Sequence, residues 1–244
     1  MKMLSIIYQD EHLIVVDKPP GISVHRQSRF PHETPVLQLL RDQVGHRVWP
    51  VHRLDRQTSG CLMFTRRQEI LNEYSQALHQ GIKIYWAFVR GHFPDLEEVT
   101  VTTPIKVNGR QKKAKSIVRC LGRSTSPRCS LLEVQPKTGR NHQVRRHVRD
   151  LHHPILHDGD HGDSRVNRHW RETTGLNRLA LHACTIQLSI HGIDHRFESP
   201  LPQDLFAVFQ KMPWWSETVR QVPLLVGHHS AQFANLTRTN QTDE

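Results

Sequence analysis

Apolar residues along this chain occur mostly in short runs separated by polar turns. Runs of this kind, bounded by Gly, Pro, Asn or Asp, predict β-strands. The segment 82–89 shows the two-residue period of a strand, with Trp86 and Phe88 on one face and Tyr85 on the other. The predicted strands are 4–8, 13–17, 61–65, 82–89, 99–107, 115–120, 129–134, 179–190 and 195–198.

Helical spacing of apolar residues predicts a smaller number of helices, at 35–44, 67–80, 140–152 and 203–212. Thr34 stands where a cap is expected, Pro35 suits the first helical position, and Gly45 ends the first helix. Gly81 follows the second helix in the same way. Strands that come in succession after a helix indicate an α+β protein with a mixed, mostly antiparallel central sheet and flanking helices.

The composition favours one globular domain, which we expect over residues 1–226 of the 244. No segment approaches the roughly 18 apolar residues needed to cross a bilayer. The four cysteines form no CxxC motif and no secretory signal is present, so we expect reduced thiols in a cytoplasmic monomer. Residues 227–244 are polar with little periodicity, and we expect a loosely ordered tail there.

Positive charge is concentrated in one fifth of the chain. The formal net charge is +10, and residues 101–150 hold 13 of the 33 Lys and Arg but only two acidic residues. Localised positive charge indicates a nucleic acid partner. On the predicted helix 140–152, four basic residues share one face and could follow a row of phosphates: His142, Arg145, Arg146 and Arg149.

The loop His52–Gly60 is the strongest candidate for chemistry. It lies between two apolar runs, so it is expected on a rigid strand scaffold, where active residues are often found. Its carboxylate, Asp55, stands between Arg53 and Arg56, which should lower the pKa of Asp55 and attract a polyanion. On its own, however, the loop is explained as well by a surface turn with a weak ion pair.

Other kinds of site have less support. The segment 157–163 is rich in His and Asp, but it lacks the twelve-residue calcium loop and any zinc spacing, and alternating Gly and Asp are typical of turns. No dinucleotide fingerprint or P-loop is present. Cys61 begins an apolar run and is expected in the core. We therefore expect neither a metal nor a cofactor.

The loop His52–Gly60 matches the HRLDxxTSG signature of the RluA family of pseudouridine synthases, which the chain resembles over about residues 4–200. Two residues depart from the family's motifs. His157 stands where the family usually has Gly before the Asp at position 158, so the shape of this loop is left open. Val144 stands where Leu or Ile is usual. The other motifs follow in the family's order, at 6–19, 83–91, 136–145, 153–158 and 181–183.

This resemblance implies a catalytic domain with a cleft for RNA, without the N-terminal S4 domain of several rRNA-modifying relatives. It implies isomerisation of uridine to pseudouridine with no cofactor or metal. Asp55 would be the nucleophile, Arg145 its ion-pair partner, and Tyr85 the ring that lies against the flipped base and helps to remove its carbon-bound proton. Attack on the ribose, attack on the base and elimination to a glycal all remain open.

The same motifs imply substrate contacts. Arg53 would enter the gap left by the flipped base. Segments 161–168 and 175–183 most resemble family members that act on uridine 65 of tRNA, so tRNA is the expected partner. An rRNA or multi-site synthase and a non-catalytic RNA-binding protein stay as alternatives. The predicted substrate-binding residues are His52, Arg53, Arg56, Arg140, His142 and Gln143.

Overall fold

A computed structural model describes residues 3–94 and 98–227 of the chain. In chain order, its elements are β1 (Ser5–Gln9), β2 (Leu13–Lys18), α1 (Val36–Val44), β3 (Trp49–Pro50), β4 (Ser59–Thr65), α2 (Leu71–Gln80), β5 (Ile82–Arg90), β6 (Val99–Val101), β7 (Ile105–Val107), β8 (Arg110–Lys112), β9 (Ser116–Thr125), β10 (Arg128–Pro136), α3 (Gln143–Asp150), α4 (Ser164–Thr174), β11 (Leu181–Ile190), β12 (Ile193–Glu198), α5 (Gln203–Phe209) and α6 (Trp215–Gln221), followed by a 3₁₀ turn at Pro223–Leu225.

One large sheet organises the described residues. Its main path runs β1-β2-β4-β11-β5-β10-β9-β6, with β3 paired to β4 and β12 paired to β11. The pair β4–β11 is parallel, and the other pairs described in this sheet are antiparallel. Strands β7 and β8 form a separate hairpin. These pairings confirm the predicted α+β class with a mixed, mostly antiparallel sheet.

Strand β4 lies between two helices, which explains its unbroken apolar sequence. On one face of the sheet, Leu62 shares a core cluster with Leu40 of α1. On the opposite face, Met63 shares a cluster with Leu78 of α2. All seven residues of β4 are buried, and Cys61 is in the core as predicted. A strand that is covered on both faces has a continuous run of apolar residues in its sequence.

Helices α3 to α6 contribute to a third and larger core cluster, on β5, β9 and β10. Phe88 of β5 packs its ring against Trp170 of α4, Phe209 of α5 and Trp214, at centroid distances of 5.2, 4.9 and 5.9 Å. Ring pairs at these separations add to the stabilisation that burial provides. The sheet and these helices make the scaffold on which the loops of the candidate site lie.

Helix boundaries differ from the sequence prediction at several points. Thr34 does not cap α1; Pro35 takes that position without a side-chain cap bond, although Gly45 ends the helix as predicted. Helix α2 begins at Leu71, so the predicted helix 67–80 was too long. Helices α4 and α6 were missed. The cap of α4 is Asp163, which accepts from two backbone N–H groups and lies in a segment interpreted as a turn.

The predicted strand 99–107 is interrupted. It forms β6 and β7, because the stretch between them contains Pro104, which has no N–H to offer a neighbouring strand. The short strand β8 was not predicted.

No helix of the described residues is long and apolar enough to cross a membrane. The predicted polar tail lies almost entirely outside the described residues, which end at 227.

Candidate active site

The loop that carries Asp55 joins β3 to β4 and is anchored by its own backbone. The carbonyl of Asp55 accepts from the N–H of Thr58 at 3.1 Å, which closes a turn. The carbonyl of Arg56 accepts from the N–H of Gly21 at 2.9 Å and from Nζ of the fully buried Lys18 at 3.1 Å. These bonds tie the Asp55 turn to the turn after β2.

The end of the loop is fixed against β11. Gly60 has φ +113°, and a Cβ there would lie 2.2 Å from the carbonyl oxygen of Ala183, so only glycine allows this approach of β4 to β11. Beside it, the Ser59 hydroxyl lies 2.9 Å from Nδ1 of His182 and accepts from Arg178 at 3.0 Å. His182 Nε2 lies 3.0 Å from the carbonyl of Ser199, so Nε2 carries the proton of the neutral ring.

His52 also supports the loop. Its Nε2 accepts a hydrogen bond from the backbone N–H of Met63 at 3.2 Å. Burial lowers the pKa of His52 to about 4, so the ring is neutral at physiological pH and its proton lies on Nδ1. His52 lines the cavity beside Asp55 but brings no positive charge to it.

Arg145 is the centre of the candidate site. It lies in the first turn of α3 and is 6% exposed. Its Nη1 donates to Oδ2 of Asp55 at 3.2 Å. Its Nε and Nη2 donate to both oxygens of Asp158, at 2.8 and 2.7 Å, and Nη2 also donates to Asp160 at 2.6 Å. One guanidinium therefore joins three carboxylates from two separate loops.

The charges in this cluster stabilise one another. Burial alone would raise the pKa of Asp158, but the hydrogen bonds and charge of Arg145 outweigh it and hold that pKa below its usual value. The pKa of Asp160 is lowered chiefly by its hydrogen bond to Arg145. Burial would lower the pKa of Arg145, but Asp158 and Asp160 raise it above its ordinary value. Asp158, Asp160 and Arg145 therefore stay ionised at neutral pH.

Tyr85 and Asp55 line a common cavity of about 350 Å³. Burial and the charge of Asp55 raise the pKa of Tyr85, so the phenol keeps its proton. Its hydroxyl makes no hydrogen bond to any described residue. The apolar side chains of Val51, Val144 and Leu181 form other parts of the wall. The cavity thus combines a carboxylate, a neutral phenol and apolar surface, which suits a planar polar ring.

A second cavity, of about 600 Å³, opens beside the first and shares Asp55, His142 and Arg145 with it. It is mostly basic, with five arginines besides Arg145 in its lining: Arg26, Arg29, Arg53, Arg56 and Arg178. Asp55 therefore lies between a small, partly apolar cavity and a larger one that attracts anions.

The two arginines beside Asp55 in the sequence do not bind its carboxylate. Within residues 3–94 and 98–227, no hydrogen bond or ion pair joins either of them to Asp55. Arg56 donates from Nε to Glu33 at 2.8 Å, and its guanidinium lies 4.1 Å from the centre of the Phe30 ring. Arg53 is exposed, has no partner among the described side chains and lines both cavities. The expected Asp–Arg pair within the loop was wrong.

The predicted basic stripe on the 140–152 helix is also absent from the described structure. Helix α3 begins only at Gln143, because His142 has φ +52° and precedes it. Arg145 is buried among carboxylates, and Arg149 pairs with Asp150. These side chains therefore do not form one continuous solvent-facing row. Sequence periodicity could not reveal this, because the carboxylates that draw Arg145 inward come from other loops.

Three further predicted residues line the first cavity. His142 lies with Nε2 3.9 Å from Oδ2 of Asp55. Arg140 is exposed and donates from Nε to the carbonyl of Lys113. The buried Gln143 uses its whole amide inside the protein. Its Oε1 accepts from Thr138 and from the N–H of Arg140, and its Nε2 donates to Lys115 and Ser116.

Several residues of the site were not singled out from the sequence. Lys18 and Arg178 are buried basic residues near Asp55 that support the loop, and Asp160 is a third partner of Arg145. The segment 157–163 was considered as a metal site and as a turn, and an ion pair between its carboxylates and Arg145 was not predicted. No group of three or more His, Cys, Asp or Glu side chains in the described parts of the chain is placed to hold a metal ion. The sequence did contain one relevant signal, since Asp158 ends the family motif 153–158 and Asp160 follows two residues later.

Two of the solved structures with this fold are human proteins. The structure of human RNA pseudouridylate synthase domain containing 4 matches with a TM-score of 0.68 and 23% identity, over 86% of this chain and 94% of that one. Human RNA pseudouridylate synthase domain containing 1 matches with a TM-score of 0.66 and 23% identity, over 82% and 84%. At this identity the likeness establishes the fold alone.

Sequence relatives are more similar. The chain is 42% identical to tRNA pseudouridine synthase C of Vibrio cholerae over 207 residues, which cover 76% of this chain and 85% of that protein. It is 35% identical to tRNA pseudouridine synthase C of Vibrio parahaemolyticus, over 89% of this chain and 98% of that protein. The RNA pseudouridylate synthase family model matches residues 12–150, which include Asp55, Tyr85 and Arg145. Because this match spans more than half of the chain and agrees with the RluA-type motifs, the protein belongs to the RNA pseudouridylate synthase family.

Proposed function

We propose that the protein isomerises uridine to pseudouridine in tRNA, at uridine 65, with Asp55 as the nucleophile, in a catalytic domain over residues 1–226. The observation that carries this proposal is the Asp55 carboxylate, bound at 3.2 Å by the buried Arg145 at the edge of the cavity lined by Tyr85. The names of the Vibrio relatives support tRNA as the substrate. The choice of uridine 65 rests on the resemblance of segments 161–168 and 175–183 to family members that act there.

The reaction breaks the bond between N1 of uracil and C1′ of the ribose and forms a bond between C5 and C1′. Asp55 either attacks or assists elimination, and both routes need an ionised carboxylate beside the sugar. Arg145 donates a hydrogen bond to that carboxylate and holds its orientation, while Asp158 and Asp160 hold Arg145. Once RNA covers the site and excludes water, this fixed cation takes over from solvent in stabilising the charge.

Tyr85 holds the base in the small cavity and takes part in the last proton transfer. The new C5–C1′ bond leaves one hydrogen too many on C5, and N1 must gain a proton. Because the pKa of Tyr85 is raised, its phenol can accept the C5 proton only if it loses its own. We assign the released Asp55 carboxylate, which lines the same cavity, as the group that receives the proton of the phenol. This proton then passes from Asp55 to N1 of the base, so the proton lost from C5 is matched by the one gained at N1 and both side chains return to their starting states.

The RNA must present the uridine outside its stack, which costs a few kcal/mol. Arg53 is exposed and unpartnered among the described residues at the mouth of both cavities, so it is free to enter the gap. The basic second cavity receives the neighbouring phosphates. We assign His142 and Arg140 to contacts at the entrance, and His52, Arg56 and Gln143 to positioning, since their polar groups already bind protein atoms.

The test is to incubate purified protein with an unmodified tRNA transcript and to map pseudouridine at each position. Product at position 65 supports the proposal, and product elsewhere in the tRNA refutes the choice of uridine. Mapping total RNA from a strain that lacks the protein separates tRNA from rRNA, since loss from rRNA alone would exclude the tRNA substrate. A protein that binds tRNA and yields no product would instead be a non-catalytic RNA-binding protein.

A further inference from the structure

A third concave surface lies away from Asp55. It encloses about 1150 Å³, and its lining shares no residue with the two cavities at Asp55. It is formed by the segments that follow β5 and α3, the β9–β10 turn and one side of α4. We call it the histidine groove, after its polar lining residues His92, His152, His153 and His169, which accompany Arg90, Arg128 and Arg149.

The charge of the histidine groove is positive. Among the described residues, its lining holds three arginines, four histidines and no Asp or Glu. Arg149 pairs with Asp150 at 2.6 Å, and Arg90 lies 3.6 Å from Asp163, so these two charges are partly neutralised. The exposed guanidinium of Arg128 makes no hydrogen bond or ion pair with any residue that the structure describes. An unpaired cation on a concave surface attracts a polyanion.

The groove is connected to the candidate active site by two rigid elements. Tyr85 and Arg90 lie five residues apart on β5, a distance of about 17 Å at 3.3 Å per residue. Arg145 and Arg149 lie one turn apart on α3, a rise of about 6 Å. A stacked nucleic acid strand advances about 3.4 Å per nucleotide. An RNA with its target uridine at Asp55 therefore reaches the groove within a few nucleotides.

The floor of the groove offers a fixed acceptor as well as cations. His153 lies with Nδ1 2.9 Å from the carbonyl of Arg90, and its ring packs on Phe93 at 5.0 Å. A Cβ at Gly91 would lie 2.9 Å from that Nδ1, so the glycine leaves room for the ring. Burial lowers the pKa of His153, and with its proton on Nδ1 the neutral ring keeps Nε2 as an acceptor. Such an acceptor suits the 2′-hydroxyl of a ribose.

We propose that the histidine groove binds the sugar–phosphate backbone of the RNA substrate, outside the nucleotides that contact the Asp55 cavities. The proposal rests on the proposed function for the identity of that RNA. Among the described residues, the groove combines an arginine without a partner, a half-buried ring acceptor and a lining without carboxylates, and this combination fits a ribose–phosphate chain. The groove adds affinity for the whole RNA and takes no part in the chemical step.

The experiment uses the double variant Arg128→Gln/His169→Gln of the full chain and, as a matched control, Arg47→Gln. Arg47 is also exposed and lines a different surface depression. Dissociation constants are measured for an unmodified tRNA transcript and for a short stem–loop cut from it around the target uridine. We expect the affinity of the double variant for the whole tRNA to fall about five- to tenfold per lost phosphate contact at 0.1 M salt.

The slope of log affinity against log salt should become shallower by about 1 for each contact. Affinity for the stem–loop, the rate at saturating RNA and the behaviour of Arg47→Gln should match those of the wild-type protein. Unchanged affinity and slope for the whole tRNA would overturn the proposal. Equal weakening on both RNAs would overturn it too, because these residues would then act through the catalytic cavities.

Thermal unfolding of each variant establishes that the fold is retained, and the single variant Arg128→Gln repeats the comparison if the double variant is unstable. Binding is measured without turnover. If the wild-type protein binds tRNA but forms no pseudouridine, the proposed function fails, and the comparison of affinities still decides the role of the groove.

Discussion

Arg145 donates a hydrogen bond to Asp55 across 3.2 Å, although 90 residues separate the two in the sequence. The same guanidinium is held from its other side by both oxygens of Asp158, whose side chain is fully buried. Arg145 is therefore positioned before any substrate arrives, and it fixes the Asp55 carboxylate in turn. Preorganised charge of this kind loses little energy to reorganisation during the reaction.

Replacing Asp55 with Asn tests the proposed nucleophile. Asn has the same shape and keeps the turn, but it has no charge and cannot act as the nucleophile. Arg145 keeps Asp158 and Asp160, so the fold should be retained. We expect pseudouridine formation to fall at least about a thousandfold while tRNA affinity changes little, as shown by product mapping and filter binding.

Asp194→Asn is the matched control, since Asp194 is an exposed aspartate at the start of β12. It should behave as the wild-type protein in both assays. An Asp55→Asn variant with appreciable turnover would remove Asp55 from the mechanism, and one that loses RNA affinity as well as activity would point to a role in binding.

Much of the fold was predictable because its signals are local. The alternation in 82–89 and the apolar run at 61–65 each lie within one element, and both became strands. The parallel pairing of β4 with β11 could not be predicted from such patterns. It joins segments more than 100 residues apart and depends on the approach of Gly60 to Ala183.

The candidate site was predictable only in part. The motif around Asp55 identified the carboxylate, and the family resemblance supplied Arg145 and Tyr85. Local charge favoured the wrong partners for Asp55, since Arg56 instead contacts Glu33 and the ring of Phe30. Those contacts come from a loop more than twenty residues away, and no local pattern reveals them.

Asp158→Asn tests the support of Arg145. Removing one partner of a buried ion pair costs up to about 3–5 kcal/mol, and the remaining bonds to Asp160 and Asp55 should keep the loss near the lower end. The free energy of unfolding at pH 7, from chemical denaturation, checks this. Asp160→Asn is the control: its carboxylate is 57% exposed, so we expect a loss of no more than about 1 kcal/mol.

The stabilisation by Asp158 should depend on pH in a defined direction. Because its pKa is lowered in the folded state, its stabilising contribution is complete above about pH 4, the ordinary pKa of aspartate. It is lost as the pH falls through the lower folded value. The wild-type protein and Asp158→Asn should therefore converge in stability as the pH is lowered below about 4. A difference that stays constant over this range would contradict the assignment.

The substitution Tyr85→Phe tests the hydroxyl of Tyr85 while it keeps the aromatic ring. The ring packs against two core clusters, and Phe preserves that packing, so stability and KM should change little. Without the hydroxyl the proposed proton relay is lost, and we expect kcat to fall about a hundredfold or more. Single-turnover rates measure this effect. As a control, Tyr74→Phe removes the hydroxyl of a tyrosine on α2 and should leave the rate unchanged. If Tyr85→Phe also keeps the wild-type rate, the relay is excluded.

Lys18→Met tests the anchor of the Asp55 turn. Lys18 donates to the carbonyls of Pro19 and Arg56 at 2.7 and 3.1 Å, and methionine keeps its length but cannot donate. With the turn released, we expect a lower kcat at nearly unchanged tRNA affinity.

Burial lowers the pKa of Lys18 to about 7, well below the 10.4 of an exposed lysine. Between these values the unfolded chain binds one more proton than the folded chain, so unfolding becomes less favourable as pH rises.

The wild-type protein should therefore gain stability relative to Lys18→Met between pH 7 and pH 9, by up to about 1.4 kcal/mol per pH unit. Urea denaturation of both proteins at pH 6, 7, 8 and 9 measures the difference, and Lys211→Met, at an exposed lysine beyond α5, controls for loss of a surface ammonium. A difference independent of pH would mean that Lys18 has the same protonation in both states. A variant with normal kcat would show that Gly21 alone holds the Arg56 carbonyl, since its N–H bonds the same oxygen at 2.9 Å.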